Sequence, residues 1–136
     1  MTRPILLGYQ VVIGISDFMT GILLIVAPAF TLRLMGLHAP FDALPYLAFI
    51  GAFVLSVGLA CLYGAVAIAR GGKRCTMETI WLLTAFTRAS VAVFVVTQVV
   101  AQTLEPGWLT VAVSDGACVL IQAIGLRRGW LGHVAR

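Results

Sequence analysis

The stretch LLTAFTRASVAVFVV, residues 82–96, is apolar enough to lie in lipid, yet it carries Arg88 near its middle. The rest of the chain has the same apolar character. Of its 136 residues, 61% are hydrophobic and 10% are charged, whereas a soluble domain usually has about a quarter charged residues. A water-soluble fold of this length could not bury so many apolar side chains, so we expect this protein to fold in a lipid bilayer.

Four apolar segments, at about residues 5–28, 44–69, 77–101 and 107–126, are each long enough to cross a membrane as a helix. A hydrocarbon core of about 30 Å requires about 20 helical residues. The segments are continuous apolar runs and lack the alternation of barrel strands. The sequence therefore predicts an all-α, integral membrane, four-helix antiparallel bundle that forms one domain over residues 1–136. A short amphipathic helix at about 30–37 is expected to lie in the membrane interface.

The basic residues are distributed unevenly between the two sides of this predicted bundle. Arg33 alone lies in the two connections opposite the termini, and Arg88 lies within a span. Seven others lie on the side of the termini: Arg3, Arg70, Lys73, Arg74, Arg127, Arg128 and Arg136. Under the positive-inside rule, this asymmetry places both termini in the cytoplasm. The pI of about 9.4 then reflects topology and contact with anionic lipid, and we predict no nucleic-acid partner.

The first segment has a second interpretation, as a cleaved signal peptide. APA at residues 27–29 resembles a cleavage site. The apolar run is nevertheless longer than the roughly 7–15 residues of a signal core, and it contains Asp17. We therefore expect it to be the first transmembrane helix.

Glycines recur at a spacing of seven in the first two segments. Gly14 and Gly21 lie in the first, and Gly51 and Gly58 lie in the second. A step of seven is about two helical turns, so each pair shares one face of its helix. Small residues allow transmembrane helices to approach closely. We expect the first two spans to pack through these four glycines.

Three ionisable residues, Asp17, Arg88 and Asp115, lie in three different predicted spans. Counting about 1.5 Å per residue from the outer ends places them roughly 16, 19 and 12 Å deep, respectively. A charge at mid-membrane costs about 3 kcal/mol or more if it faces lipid. We therefore expect all three side chains to point into the bundle, with Arg88 donating to one or both carboxylates. Its planar guanidinium can satisfy two partners at once.

Other polar residues share these faces. Asp115, Cys118 and Gln122 follow one another at steps of three and four, and Arg88 and Gln102 lie on one face of the third helix. Two carboxylates against one guanidinium leave a net negative charge, so one carboxyl is expected to hold a proton. Two interpretations remain open: a buried ion network that sets helix register, or a polar centre that binds a ligand.

Catalytic and metal-binding patterns do not occur in the sequence. It contains no Ser–His–Asp grouping, HExxH, phosphate-binding glycine loop or CxxC spacing. His38 and His133 lie outside the predicted spans and on opposite sides of the bundle, so they cannot form one site. We predict no catalytic residue, no metal and no resident cofactor, although a quinone- or lipid-like ligand fits a polar centre within the membrane.

Four motifs together resemble a known family. They are ILLIVAPAFTLRLMGL (22–37), FIGAFVLSVGLACL (49–62), FTRAS (86–90) and VSDGA (113–117). The chain is similar over about residues 8–128 to the DoxX-like group of small four-helix bacterial membrane proteins. This resemblance implies a bacterial inner-membrane location, with Arg88 and Asp115 as the characteristic polar residues. The group's named member is associated with a membrane quinone-reducing complex.

Three functions are compatible with these features. The preferred one is a non-enzymatic accessory or ligand-binding subunit of a membrane system, with a membrane protein or a second copy of the chain as partner. A small proton-coupled transporter is the second, in which Asp17 would carry the proton. The third is a membrane enzyme that acts on a lipophilic substrate within the bundle.

Overall fold

The computed structural model describes residues 2–133, with the side chain of residue 133 excluded, and the described chain contains helices and no strand. Four of its five α-helices are long and apolar enough to cross a membrane. The prediction of an all-helical fold with four such helices is confirmed. The helices are α1 (Arg3–Val26), α2 (Pro28–Leu34), α3 (Leu44–Ala69), α4 (Arg74–Val100) and α5 (Leu109–Arg127), with short 3-10 turns at Phe41–Ala43, Pro106–Trp108 and Trp130–His133.

The helix ends differ by a few residues from those predicted. The first span was expected to reach residue 28, but α1 ends at Val26 because Pro28 begins α2. Proline suits the first position of a helix, where its missing N–H would have no partner. The third long helix begins at Arg74, one turn earlier than predicted, and Arg74 Nε donates to Glu78 Oε1 at 2.7 Å.

Large apolar side chains cover the outside of the bundle, while polar ones lie inside. Phe86 is 75% exposed and Val113 is 70% exposed, whereas Gln10 is 0% and Gln122 is 1% exposed. A buried polar group and a large exposed apolar surface are each unusual for a protein in water. Together with the four long apolar helices, this distribution indicates a multi-pass membrane protein.

The helices form two closely packed pairs, which we call the α1/α3 pair and the α4/α5 pair. Between the pairs, the backbones approach mainly where α3 meets α4. The bundle therefore consists of two helix pairs that meet mainly along α3 and α4.

The α1/α3 pair packs through the four glycines named from the sequence. A Cβ on Gly21 would lie 2.5 Å from the backbone nitrogen of Leu55, and one on Gly58 would lie 2.5 Å from that of Phe18. Gly14 lies against Leu62, and Gly51 lies against Leu24. Since these neighbours are largely backbone or buried side chain, they leave no room for a methyl group.

Two apolar clusters close the ends of the bundle. At the end that carries the termini, the buried cluster is Leu6, Ile68, Met77, Trp81 and Leu131. There Arg3 Nη2 also donates to the Ala69 carbonyl at 2.6 Å, and its charge lies at the carbonyl end of α3. At the opposite end, which we call the α2 end, the buried cluster is Leu32, Leu37 and Leu47, with Trp108 packed against it. The polar side chains lie between these clusters.

The glycine contact gives a matched pair of substitutions on α1. Gly21→Ala should lower the free energy of unfolding by about 1–3 kcal/mol, because the added methyl forces α1 away from α3. Gly8→Ala should be neutral or slightly stabilising, since no atom lies within 4 Å of a Cβ there and alanine favours helix by about 1 kcal/mol. Unfolding by sodium dodecyl sulfate in mixed micelles measures both. Equal stabilities of the two variants would contradict the packing described.

Candidate functional site

The centre of the bundle contains a guanidinium between two carboxyl groups. Arg88, on α4, is 6% exposed. Its Nη1 donates to Asp115 Oδ1 on α5 at 2.5 Å, and its Nη2 donates to Asp17 Oδ2 on α1. The structure thus brings together the three ionisable residues that the sequence placed at similar depth.

This arrangement links the two helix pairs. Asp17 belongs to the α1/α3 pair, whereas Arg88 and Asp115 belong to the α4/α5 pair. A buried ion pair is favourable only when its geometry satisfies both desolvated partners, and the planar guanidinium does so here with one terminal nitrogen for each acid. The side chains of Asp17 and Asp115 remain 19% and 14% exposed, respectively. The acids are therefore the accessible edge of the centre, and the guanidinium is its buried core.

Polar side chains continue from Arg88 toward the end that carries the termini. Gln122 Nε2 donates to Thr84 Oγ1 at 2.8 Å, and Thr84 in turn donates to the Ile80 carbonyl. On the other pair, Gln10 Nε2 donates to the Cys61 carbonyl at 3.3 Å. The two glutamines are fully buried and hold their amides within the bundle.

Two buried thiols and a phenol complete the surroundings of the guanidinium. Cys61, on α3, lies beside Arg88, and Cys118, on α5, lies beside the hydroxyl of Tyr9 on α1. Both cysteines are free. All four long helices therefore contribute side chains to the same polar region, which we call the polar centre.

Buried side-chain atoms in the polar centre and in the adjoining cluster at the end that carries the termini have unused hydrogen-bonding capacity. Within the described residues, five buried side-chain atoms lack a partner: Tyr9 Oη, Gln10 Oε1, Trp81 Nε1, Arg88 Nε and Gln122 Oε1. A buried polar atom without a partner costs about 1–3 kcal/mol, and such atoms are rare in native proteins. Two are acceptors, two are donors, and the tyrosine hydroxyl can act as either. A bound molecule with oxygen atoms of both kinds, or ordered water, would satisfy them.

Side chains that could bind a metal ion are not clustered in the part of the chain that the structure describes. Across residues 2–133, no group of three or more His, Cys, Asp or Glu side chains is placed to hold a metal ion. His38 lies at the α2 end, far along the chain from the polar centre, and the side chain of His133 lies outside the described residues. What the polar centre offers chemically is a fixed cation, two acids and a set of neutral donors and acceptors.

Sequence reasoning identified part of this site. Asp17, Arg88, Asp115, Cys118 and Gln122 all lie in the polar centre. The expectation for Gln102 was wrong: α4 ends at Val100, and Gln102 is an exposed loop residue with a φ of 58°. Tyr9 and Thr84 were missed. Thr84 could have been found, because it precedes Arg88 by four residues and so shares its helix face, whereas Tyr9 carries no comparable signal.

Comparison of the chain with protein-family models, with curated proteins and with solved structures finds no match.

The ion pairs predict a clear order of effects on stability. Arg88→Leu should lower the free energy of unfolding by about 3 kcal/mol or more, because it leaves two buried acids without their cation. Asp115→Asn should lower it by less, since Asp17 still neutralises the guanidinium and the asparagine oxygen can still accept. Unfolding in mixed micelles, followed by circular dichroism, measures this order.

Arg70→Leu is the matched control for that series. Arg70 is an exposed arginine at the end of α3, and surface replacements usually change stability by less than about 0.5 kcal/mol. An Arg88→Leu variant as stable as Arg70→Leu would show that the central ion pairs contribute nothing to the fold.

Proposed function

We propose that this protein is a small multi-pass subunit of a membrane system that binds a quinone- or lipid-like molecule by its polar head at the polar centre. One observation carries this proposal: Arg88 Nε and four other buried atoms, on residues that lie between the ion pairs and the end that carries the termini, have hydrogen-bonding capacity that the described chain does not use. A centre that served helix register alone would be expected to satisfy its own atoms.

The chemistry of the five atoms favours a head with oxygen substituents. Arg88 Nε and Trp81 Nε1 are donors that suit a carbonyl oxygen, whereas Gln10 Oε1 and Gln122 Oε1 are acceptors that suit a hydroxyl. A quinone presents carbonyls and its reduced form presents hydroxyls, so both forms find partners here. A lipid head with ester and hydroxyl groups has the same combination.

The boundary between the helix pairs is where we expect such a molecule to enter. The backbones of the α1/α3 pair and the α4/α5 pair approach mainly at α3 and α4, so the remaining boundary is formed by side chains. An amphipathic molecule in the bilayer would place its head beside Asp17 and Asp115, the partly exposed edge of the polar centre, and keep its tail in lipid.

The orientation of the protein in the membrane is also part of the proposal. Six of the described basic residues, Arg3, Arg70, Lys73, Arg74, Arg127 and Arg128, lie at the end of the bundle that carries the termini. The positive-inside rule supports a cytoplasmic location for that end. With the resemblance to the DoxX-like group, this favours the bacterial inner membrane, with the termini inside and a membrane protein or a second copy of the chain as partner.

A proton-coupled transporter is the second candidate, and one observation favours it. Two acids share one guanidinium at the boundary between two helix pairs, and a proton on Asp17 would weaken the ion pair that links one helix pair to the other. In reconstituted vesicles, substrate uptake would then acidify the interior, and Asp17→Asn would abolish this acidification. Both results together would support a transporter over a binding subunit.

Quinone binding can be measured through Trp81 in a protein that also carries Trp108→Phe and Trp130→Phe, because a bound quinone quenches tryptophan fluorescence. The protein in lipid nanodiscs should show saturable quenching with a short-tailed benzoquinone, and none with the corresponding alkylbenzene, which lacks oxygen. Thr84→Val should weaken binding about tenfold, since it releases the Gln122 amide from its position and disturbs hydrogen bonds of about 1–3 kcal/mol.

Thr97→Val is the matched control for this measurement. Both threonines lie on α4 and donate to the carbonyl four residues earlier at 2.8 Å, but Thr97 faces outward. Equal binding by the two variants, or equal quenching by the alkylbenzene, would contradict the proposed site.

A further inference from the structure

The α2 end of the bundle carries a groove that is separate from the polar centre. Its volume is about 290 Å³. Apolar side chains form most of its walls, and two basic side chains belong to it. The lining residues are Ala29, Leu32, Arg33, Leu37, His38, Ala39, Phe41 and Leu44.

The backbone turn after α2 holds these basic residues in place. The Leu37 N–H donates to the Leu32 carbonyl at 2.8 Å, and the Gly36 N–H donates to the Arg33 carbonyl at 3.1 Å. Gly36 has a φ of 69°, as the residue that follows a helix has in a Schellman turn. Arg33 and His38 therefore flank a defined turn, and the groove does not depend on a disordered loop.

Two buried leucines anchor this turn to the bundle. Leu32 is 2% exposed and Leu37 is 1% exposed. Leu37 also lies against Gly107, where a Cβ would come within 2.7 Å of its side chain. The floor of the groove is consequently rigid, and its position is set by contacts with α3 and with the turn before α5.

The charge of the groove is basic and uncompensated within the described chain. Among residues 2–133, Arg33 and His38 form no salt bridge. Asp42 follows Phe41 in the sequence but does not line the groove. The cationic side chain of Arg33 thus has no acidic partner among the described residues, and a ligand phosphate would supply one.

The apolar walls distinguish this groove from a site for a free ion. Phe41 is 84% exposed, and with Leu44 it forms an apolar edge beside the basic residues. The groove lies where α1 ends and α3 begins, which is the level of the lipid headgroups if both helices span the bilayer. An acyl chain at that level would lie against the apolar edge while its phosphate reached Arg33.

We propose that this groove binds the headgroup of an anionic phospholipid, with the phosphate at Arg33 and His38 and the first part of an acyl chain against Phe41 and Leu44. The site is independent of the proposed function at the polar centre. It would fix one lipid at the α2 end and hold the interfacial helix against the membrane.

Native mass spectrometry of the full chain, released from detergent with added lipid, tests the site. The wild-type protein should retain dioleoyl phosphatidylglycerol with an apparent Kd at least fivefold lower than that for dioleoyl phosphatidylcholine. The double variant Arg33→Gln, His38→Gln should lose most of this preference, and what remains should come from the basic residues at the end that carries the termini. Both residues are exposed, and an unchanged circular dichroism spectrum would establish that the variant folds.

Arg70→Gln is the matched control, because it removes one exposed arginine from the opposite end of the bundle. It should keep the preference for phosphatidylglycerol. The same preference in the Arg33→Gln, His38→Gln variant would overturn the proposal, as would its loss in Arg70→Gln. Inorganic phosphate that competes as well as the lipid would also overturn it, since the apolar walls would then contribute nothing.

Discussion

Neutralisation of the Arg88 guanidinium is the constraint on which the arrangement of the helices depends. The residue lies near the middle of α4, on a helix whose outer face is apolar, and its charge would be costly in hydrocarbon unless opposite charges reached it. Asp17 approaches from α1 and Asp115 from α5. This requirement constrains the rotation of three helices about their axes and their relative positions along the bundle.

Close packing of α1 on α3 complements that constraint. The glycines remove side-chain bulk along one face of each helix, so the α1/α3 pair is stabilised by contact of backbone with backbone, as in many membrane helix pairs. The α4/α5 pair is joined to it by the ion pair between Arg88 and Asp17 and by the contact of α4 with α3. The polar centre therefore lies at the junction of two units, where a bound molecule could affect how they fit together.

Features that depend on a single segment, or on the number of residues between two positions, were predictable from the sequence. The lengths of the apolar segments predicted the four long helices, and the spacing of seven predicted which glycines share a helix face. The number of residues from the end of each segment predicted that Asp17 and Arg88 lie at similar depth. Features that depend on how one helix turns relative to another were not accessible. Tyr9 reaches Cys118 only because of the particular rotation of α1 against α5, and Gln102 lies off α4 because the helix ends two residues earlier. Neither fact follows from the pattern of one segment.

The most direct test of this account is a distance measurement in a bilayer. Solid-state NMR dephasing between ¹⁵N-labelled arginine side chains and ¹³C-labelled aspartate carboxyl carbons would detect the central contact, with Arg88→Lys used to assign the signal. The account predicts that Arg88 lies within roughly 4 Å of the carboxyl carbons of both Asp17 and Asp115, as hydrogen-bonded groups do. An Arg88 signal without dephasing, in a protein that is folded and inserted, would contradict it.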